Sequence, residues 1–113
     1  MAFSSTKFLV EVLVQWADQN LQTLFIAHKG DHERGLILLY QELKSGRVRL
    51  WVEETSDLGV RAFGQRFSED KTPEDAKAYI ERERNRDEDL WVVVFENSNG
   101  NLPEVLTAAP RAF

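Results

Sequence analysis

A chain of 113 residues has room for one domain, and its 42% of apolar residues is enough to fill one hydrophobic core. The formal net charge of −5 disfavours nonspecific binding to nucleic acid or to an anionic membrane, since both require a positive field. Cysteine is absent, which excludes disulfide bonds, thiolate metal sites and a cysteine nucleophile, and is typical of proteins in a reducing cytosol.

The two ends of the chain give no sign of a targeting or membrane segment. The N-terminal residues include one Lys and no unbroken apolar run, so we expect no signal peptide. No stretch reaches the length of a membrane span, and we expect a cytoplasmic protein that makes no membrane contact. The C-terminal end carries Pro103, Pro110 and an Ala-rich segment. We therefore expect one domain over residues 1–101 and a loosely ordered tail over residues 102–113.

Apolar periodicity and turn residues predict seven elements. Ser4 or Ser5 can cap a first helix, and Thr72 followed by Pro73 is a strong start for a second. The predicted elements, in chain order, are a helix over about 5–19, strands over 21–28, 35–43, 47–53 and 60–67, a helix from 72 to about 85, and a final strand over about 90–95.

The final strand has the clearest signal of burial. An acidic turn, Asp87-Glu88-Asp89, is followed directly by six apolar residues from Leu90 to Phe95. A strand that is apolar at every position is covered on both faces, so we expect it to insert between earlier strands and Trp91 to be largely buried.

These elements predict an α+β domain. Short connections between the first four strands favour antiparallel pairing. We expect a single twisted, mostly antiparallel sheet of about five strands in the order α-β-β-β-β-α-β, with both helices packed on one face.

Several of these segments resemble a family of small bacterial proteins known as domain of unknown function family 1491. The residues that carry the resemblance are the Lys29-Gly30-Asp31 turn with Gly35, the Val60-Arg61-Ala62-Phe63 strand, the helical Tyr79-Ile80-Glu81-Arg82-Glu83 and the closing Asp87–Val93 segment. The resemblance implies a cytosolic α+β domain. It implies no activity and therefore no catalytic residues.

The loop between the first two strands is a candidate ligand site. Its backbone amides could hold an anion at Lys29, Gly30, His32 and Gly35, although the acidic side chains of Asp31 and Glu33 argue against one. His28 and His32 could bind a metal with a neighbouring carboxylate, but a glycine between them favours two loop histidines. We expect no metal ligands and no cofactor.

The acidic turn admits two interpretations. Its paired carboxylates are the residue types that do acid–base work or hold Mg²⁺. Aspartates also bond to backbone amides in turns, and nearby arginines can neutralise them, which favours a structural role.

Arginine and aromatic side chains are predicted to share one sheet face. We expect this face to be an interface, with aromatic residues at its centre and arginines at its rim. The residues are Trp51, Phe63 and Phe67, with Arg47, Arg49 and Arg61. The competing expectation is that Leu102, Val105, Leu106 and Phe113 of the tail cover the same aromatic residues.

The favoured function is a noncatalytic domain that forms a homodimer or docks on a protein partner. A small-molecule or anion-binding module, including an enzyme, that uses the Arg and Trp51 surface is the first alternative. An RNA-binding accessory protein is the second, because arginine beside aromatic side chains can form a platform for single strands. The net charge disfavours that second alternative.

Overall fold

The computed structural model describes residues 5–55 and 61–108 as an α+β domain. The Oγ atom of Ser5 caps the first helix by accepting a hydrogen bond from the amide of Phe8, and Thr72 caps the second in the same way. The elements are α1 (Thr6–Gln19), β1 (Thr23–His28), β2 (Ile37–Leu43), β3 (Val48–Thr55), β4 (Arg61–Gln65), α2 (Pro73–Arg86), β5 (Trp91–Ser98) and α3 (Glu104–Ala108). The predicted start of the fourth strand, Val60, lies outside the described residues.

The sheet has five strands in the order β1-β5-β2-β3-β4. Strand β5 pairs parallel with β2 and antiparallel with β1, and the β2–β3 and β3–β4 pairs are antiparallel. The mostly antiparallel sheet and the insertion of the last strand are therefore confirmed. The physical reason is burial on both sides: Trp91, Val93 and Phe95 pack on one face and Val92 on the other.

The prediction that both helices share one face is wrong. Helix α1 packs on one face, here called the α1 face, through Leu9 and Leu13, which lie with Ile37 of β2 in one core cluster. Helix α2 packs on the opposite α2 face through Ala76 and Tyr79. Strands β2 and β5 bury large side chains on both faces, so each face requires its own helix.

A third helix, α3, lies within the predicted tail. Leu106 is 2% exposed and belongs to the core cluster of the α1 face, with Leu102 and Val105 packed against it. Residues 102–106 are therefore part of the core rather than a loose tail, because the α1 face extends beyond the width that one helix covers. Among the described residues, no helix is long and apolar enough to cross a membrane.

Candidate functional site

The three aromatic residues of the predicted interface do not share one face. Trp51 and Phe63 pack against the α1-face cluster that contains Leu106 of α3. Phe67 lies beyond the end of β4 and packs on the α2 face, where its ring meets Tyr79 edge-on with centroids 5.3 Å apart. The expectation of a common aromatic face is wrong because β4 ends at Gln65 and the alternation of its side chains ends there. Three of the four tail residues expected to cover these aromatic residues, Leu102, Val105 and Leu106, lie in or against the same cluster as Trp51 and Phe63. The fourth, Phe113, lies outside the described residues.

The arginines of the same set are engaged within the molecule. Arg49 donates two hydrogen bonds to the Asp70 carboxylate, at 2.8 and 3.0 Å, and one to the Gly100 carbonyl. Arg47 donates to the backbone carbonyl of Asp70. The hydrogen bonds from Arg49 hold the pKa of Asp70 below its ordinary value and raise the pKa of Arg49. These groups are therefore poorly placed to form a platform for phosphates.

Arg61 forms a largely buried ion pair with Glu53. The side chain of Glu53 is 1% exposed and that of Arg61 14%. The guanidinium also donates to Thr6 Oγ1 at 2.9 Å and to the Gly35 carbonyl at 3.1 Å, and Glu53 accepts from the amide of Ile37. This network joins the edge strand β4 to the start of α1 and to β2.

The loop between β1 and β2, which contains Gly30 and Gly35 and is here called the glycine loop, packs on the turn that precedes β5. A β carbon at Gly30 or Gly35 would lie 1.9 or 2.2 Å from the Asp89 carbonyl oxygen, so only glycine allows this approach. The indole N–H of Trp91 donates to the Asp31 carbonyl at 2.7 Å, and the His32 ring lies over Trp91 with centroids 5.8 Å apart. Gly30, His32 and Gly35 of the predicted ligand site thus have structural roles, whereas Lys29 is exposed.

Several of the loop amides are also occupied. Those of Glu33 and Arg34 donate to the Asp31 carboxylate, and that of Gly35 donates to the Asp31 carbonyl. An anion at the loop would have to displace these bonds.

In the acidic turn, the carboxylate of Asp87 accepts a hydrogen bond from the amide of Asp89. This contact favours the structural interpretation of the turn.

Metal-ligating side chains do not gather in the parts of the chain that the structure describes. No group of three or more His, Asp or Glu residues there could hold an ion. The Nδ1 atom of His28 lies 2.7 Å from the Leu90 carbonyl oxygen, which occupies one of its two ring nitrogens.

An open trough that is partly apolar lies on the α2 face and is here called the β1 trough. It has a volume of about 570 Å³ and lies between α2 and the strands β1 and β5. Its floor includes Phe25, Ala27 and Val94, and its α2 wall includes Ile80. Charged residues also line it, namely Glu42, Lys77, Glu81, Arg84 and Glu96. The core cluster under α2 contains residues of β2, β3 and β5 but none of β1. Phe25 is accordingly 46% exposed.

The β1 trough adjoins an edge of the sheet. Strand β1, with the sequence Thr-Leu-Phe-Ile-Ala-His, has no Lys, Arg, Asp, Glu or Pro. At the other edge, β4 carries the charged Arg61 directed into the α1 face. An inward charge is a device that blocks pairing at an edge, and β1 has none, although a bulge lies between Ile26 and His28.

Sequence reasoning missed the β1 trough. The signal was present, because β1 is apolar at four successive positions, from Leu24 to Ala27, and so on both of its faces. An edge strand with two apolar faces requires cover on both, and the chain supplies α1 for one of them.

Comparisons with known proteins identify a family and similar solved structures. The family model described as protein of unknown function (DUF1491) matches residues 5–103. A crystal structure of a DUF1491 family protein from Caulobacter crescentus is similar with a TM-score of 0.76 and 31% identity, over 88% of this chain and 92% of that one. The solution structure of protein Atu0922 from A. tumefaciens is similar with a TM-score of 0.77 and 25% identity, over 95% of both chains. No curated protein matches significantly.

Proposed function

Because the chain belongs to the DUF1491 family of proteins of unknown function, we propose its function from its own surface: it is a noncatalytic, cytoplasmic domain that self-associates through β1 and the β1 trough. The absence of cysteine supports a reducing compartment. The interface differs from the Trp51 surface that the sequence suggested.

One observation carries the proposal. Phe25 lies in the middle of β1, is 46% exposed and lines a partly apolar trough of about 570 Å³. Exposed apolar patches of this kind on soluble domains mark interaction sites.

The free edge of β1 favours a second copy of this chain as the partner. Two β1 strands related by a two-fold axis run antiparallel, so they can pair as β1 already pairs with β5. Pairing would place the two Phe25 side chains close together and would join the two troughs into one apolar surface. Residues 23–26 pair regularly with β5 and provide a straight segment for this contact.

The test is the oligomeric state of two matched variants. Phe25→Lys places a cation at the centre of the contact, and lysine is a residue by which natural edge strands prevent pairing. Ala62→Lys places the same charge on an exposed residue of β4, the opposite edge of the sheet. Light scattering should show a dimer for the wild type and for Ala62→Lys, and a monomer for Phe25→Lys.

Circular dichroism and thermal melting separate dissociation from unfolding. Phe25→Lys should retain the wild-type spectrum, because the side chain is about half exposed. A wild type that is monomeric at micromolar concentration would overturn the proposal. So would dissociation of Ala62→Lys instead of Phe25→Lys, which would place the contact at β4.

A further inference from the structure

A second cavity lies on the α1 face, away from the β1 trough, and is here called the amide pocket. Its volume is about 280 Å³, and it lies between the end of α1, the end of β5 and the segment that leads into α3. Its lining combines the aromatic rings of Trp16 and Phe95 with amide side chains, including those of Gln22 and Asn101. Ligand sites in proteins combine apolar surface with convergent polar groups. Here the polar groups predominate, since seven of the eleven lining residues are polar.

The backbone of the amide pocket is held in place before any ligand binds. Gln41 is 1% exposed; its amide nitrogen donates to the Asn101 carbonyl at 2.8 Å, and its carbonyl oxygen accepts from the indole of Trp51 at 2.7 Å. Asn99 accepts from the amide of Asn101, and Ser98 accepts from that of Gly100. Binding would therefore require little ordering of this segment.

Three polar side chains of the lining remain available to a ligand. Within the part of the chain that the structure describes, no hydrogen bond is formed by the side-chain amides of Gln22 and Asn101 or by the carboxylate of Glu104. Each amide both donates and accepts, and the carboxylate accepts. A ligand with several hydroxyl groups matches this set, because each hydroxyl also donates and accepts.

Charge and shape narrow the class of ligand. Glu104 is the one charged residue among the described residues that line the amide pocket, so the site repels phosphates and carboxylates. The half-buried Trp16 is fixed by an edge-on contact with Phe95, at 6.4 Å between ring centroids, and offers an apolar surface to the C–H groups of a ring. The volume lies just below the usual range for ligand sites, about 300–1,000 Å³, which limits the occupant to a small molecule.

From these features we infer that the amide pocket binds a neutral, polyhydroxylated ring, such as one monosaccharide unit. The ring would lie on Trp16, with its hydroxyl groups bonded to Gln22, Asn101 and Glu104.

The probes are glucose, galactose, mannose and N-acetylglucosamine, each titrated into the ¹⁵N-labelled full chain and followed by NMR. At least one should shift the Trp16 indole and the Gln22 and Asn101 side-chain amide signals saturably. Glu104→Gln should weaken its binding by about tenfold, because the neutral amide oxygen accepts a weaker hydrogen bond than the carboxylate does. Glu33→Gln, an exposed acid on the glycine loop, is the matched control and should leave affinity unchanged.

Two further probes, one charged and one planar, test for other classes of ligand. Glucose 6-phosphate and adenosine are titrated in the same way. The inference is overturned if none of the four sugars shifts these signals, if either of these two probes binds more tightly than the best sugar, or if Glu104→Gln binds that sugar as the wild type does.

Discussion

Arg61 and Glu53 form the most buried ionic contact among the described residues. Glu53 is almost fully enclosed, and its carboxylate accepts from the Arg61 guanidinium and from the amide of Ile37. Such a pair adds little net stability against an apolar replacement, because both ions lose their hydration. Removal of one partner is costly, however, since it leaves an uncompensated charge inside the protein.

The first prediction concerns this pair. Arg61→Met should lower the free energy of unfolding by about 3–5 kcal/mol, because the buried Glu53 carboxylate loses its cation. The measurement is urea unfolding at neutral pH. The double variant Arg61→Met with Glu53→Gln should recover part of this loss, because it removes the unpaired charge. A loss below about 1 kcal/mol in the single variant would show that the pair is solvated rather than buried.

The second prediction concerns pH. Hydrogen bonds from Arg49 lower the pKa of Asp70 below its ordinary value of 3.8, so the folded state binds the proton less readily than the unfolded state. The stability that the ionised Asp70 contributes is fully present above its pKa in the unfolded state. It is lost as pH falls through the lower pKa of the folded state. The side chain of Asp70 is 25% exposed, so this contribution is about 1 kcal/mol at most.

Unfolding curves at neutral and acidic pH check this prediction. Asp70→Asn should lose less stability on acidification than the wild type does. The control, Asp18→Asn at an exposed position in α1, should lose as much stability as the wild type. Equal acid sensitivity of Asp70→Asn and the wild type would contradict it.

The burial of a single residue was predictable where neighbouring residues in the sequence formed a clear apolar pattern. The run of apolar residues in β5 predicts a buried Trp91, and the structure confirms it at 2% exposure. The partner of Arg61 was not predictable, since Glu53 and Thr6 meet it only through strand pairing and helix placement that no local pattern contains.

At the scale of elements, the glycine loop and the acidic turn before β5 form one unit. Gly30 and Gly35 pack directly on the Asp89 carbonyl, and Trp91 bonds back to the loop. These are two of the segments that carry the resemblance to the family. Their close fit gives a physical reason for glycines and a tryptophan at these positions without any ligand.

The third prediction tests this unit. In Gly30→Ala the new β carbon would lie 1.9 Å from a backbone oxygen, so the loop must move, and we expect a loss of about 1–3 kcal/mol in the free energy of unfolding. Gly64→Ala is the control, because its nearest neighbour would be the flexible Glu54 side chain at 3.6 Å. Urea unfolding that gives equal stabilities for the two variants would contradict the proposed role of Gly30.

Element boundaries followed from short-range chemistry and were largely predictable. Ser5 and Thr72 each cap a helix through a side-chain oxygen, and the strands alternate or run apolar as their burial requires. Helix α3 was missed because five residues beside a proline have no helical period long enough to recognise.

At the scale of the whole molecule, the cover of each sheet face decides where the surface remains apolar. Helices α1 and α3 share one face, whereas α2 serves the other face and leaves β1 uncovered there. The sequence predicted that one sheet face would form an interface. It could not show which strand stayed open, because that depends on the crossing of α2 over the sheet.

The most direct test of self-association is amide hydrogen exchange as a function of protein concentration. Those amides of residues 23–26 in β1 that do not bond to β5 should exchange more slowly as concentration rises, because dimer formation gives them hydrogen-bond partners. Those of β4, the opposite edge, should exchange at a constant rate and serve as the internal control. Exchange in β1 that is independent of concentration, or protection that develops at β4 instead, would contradict the account.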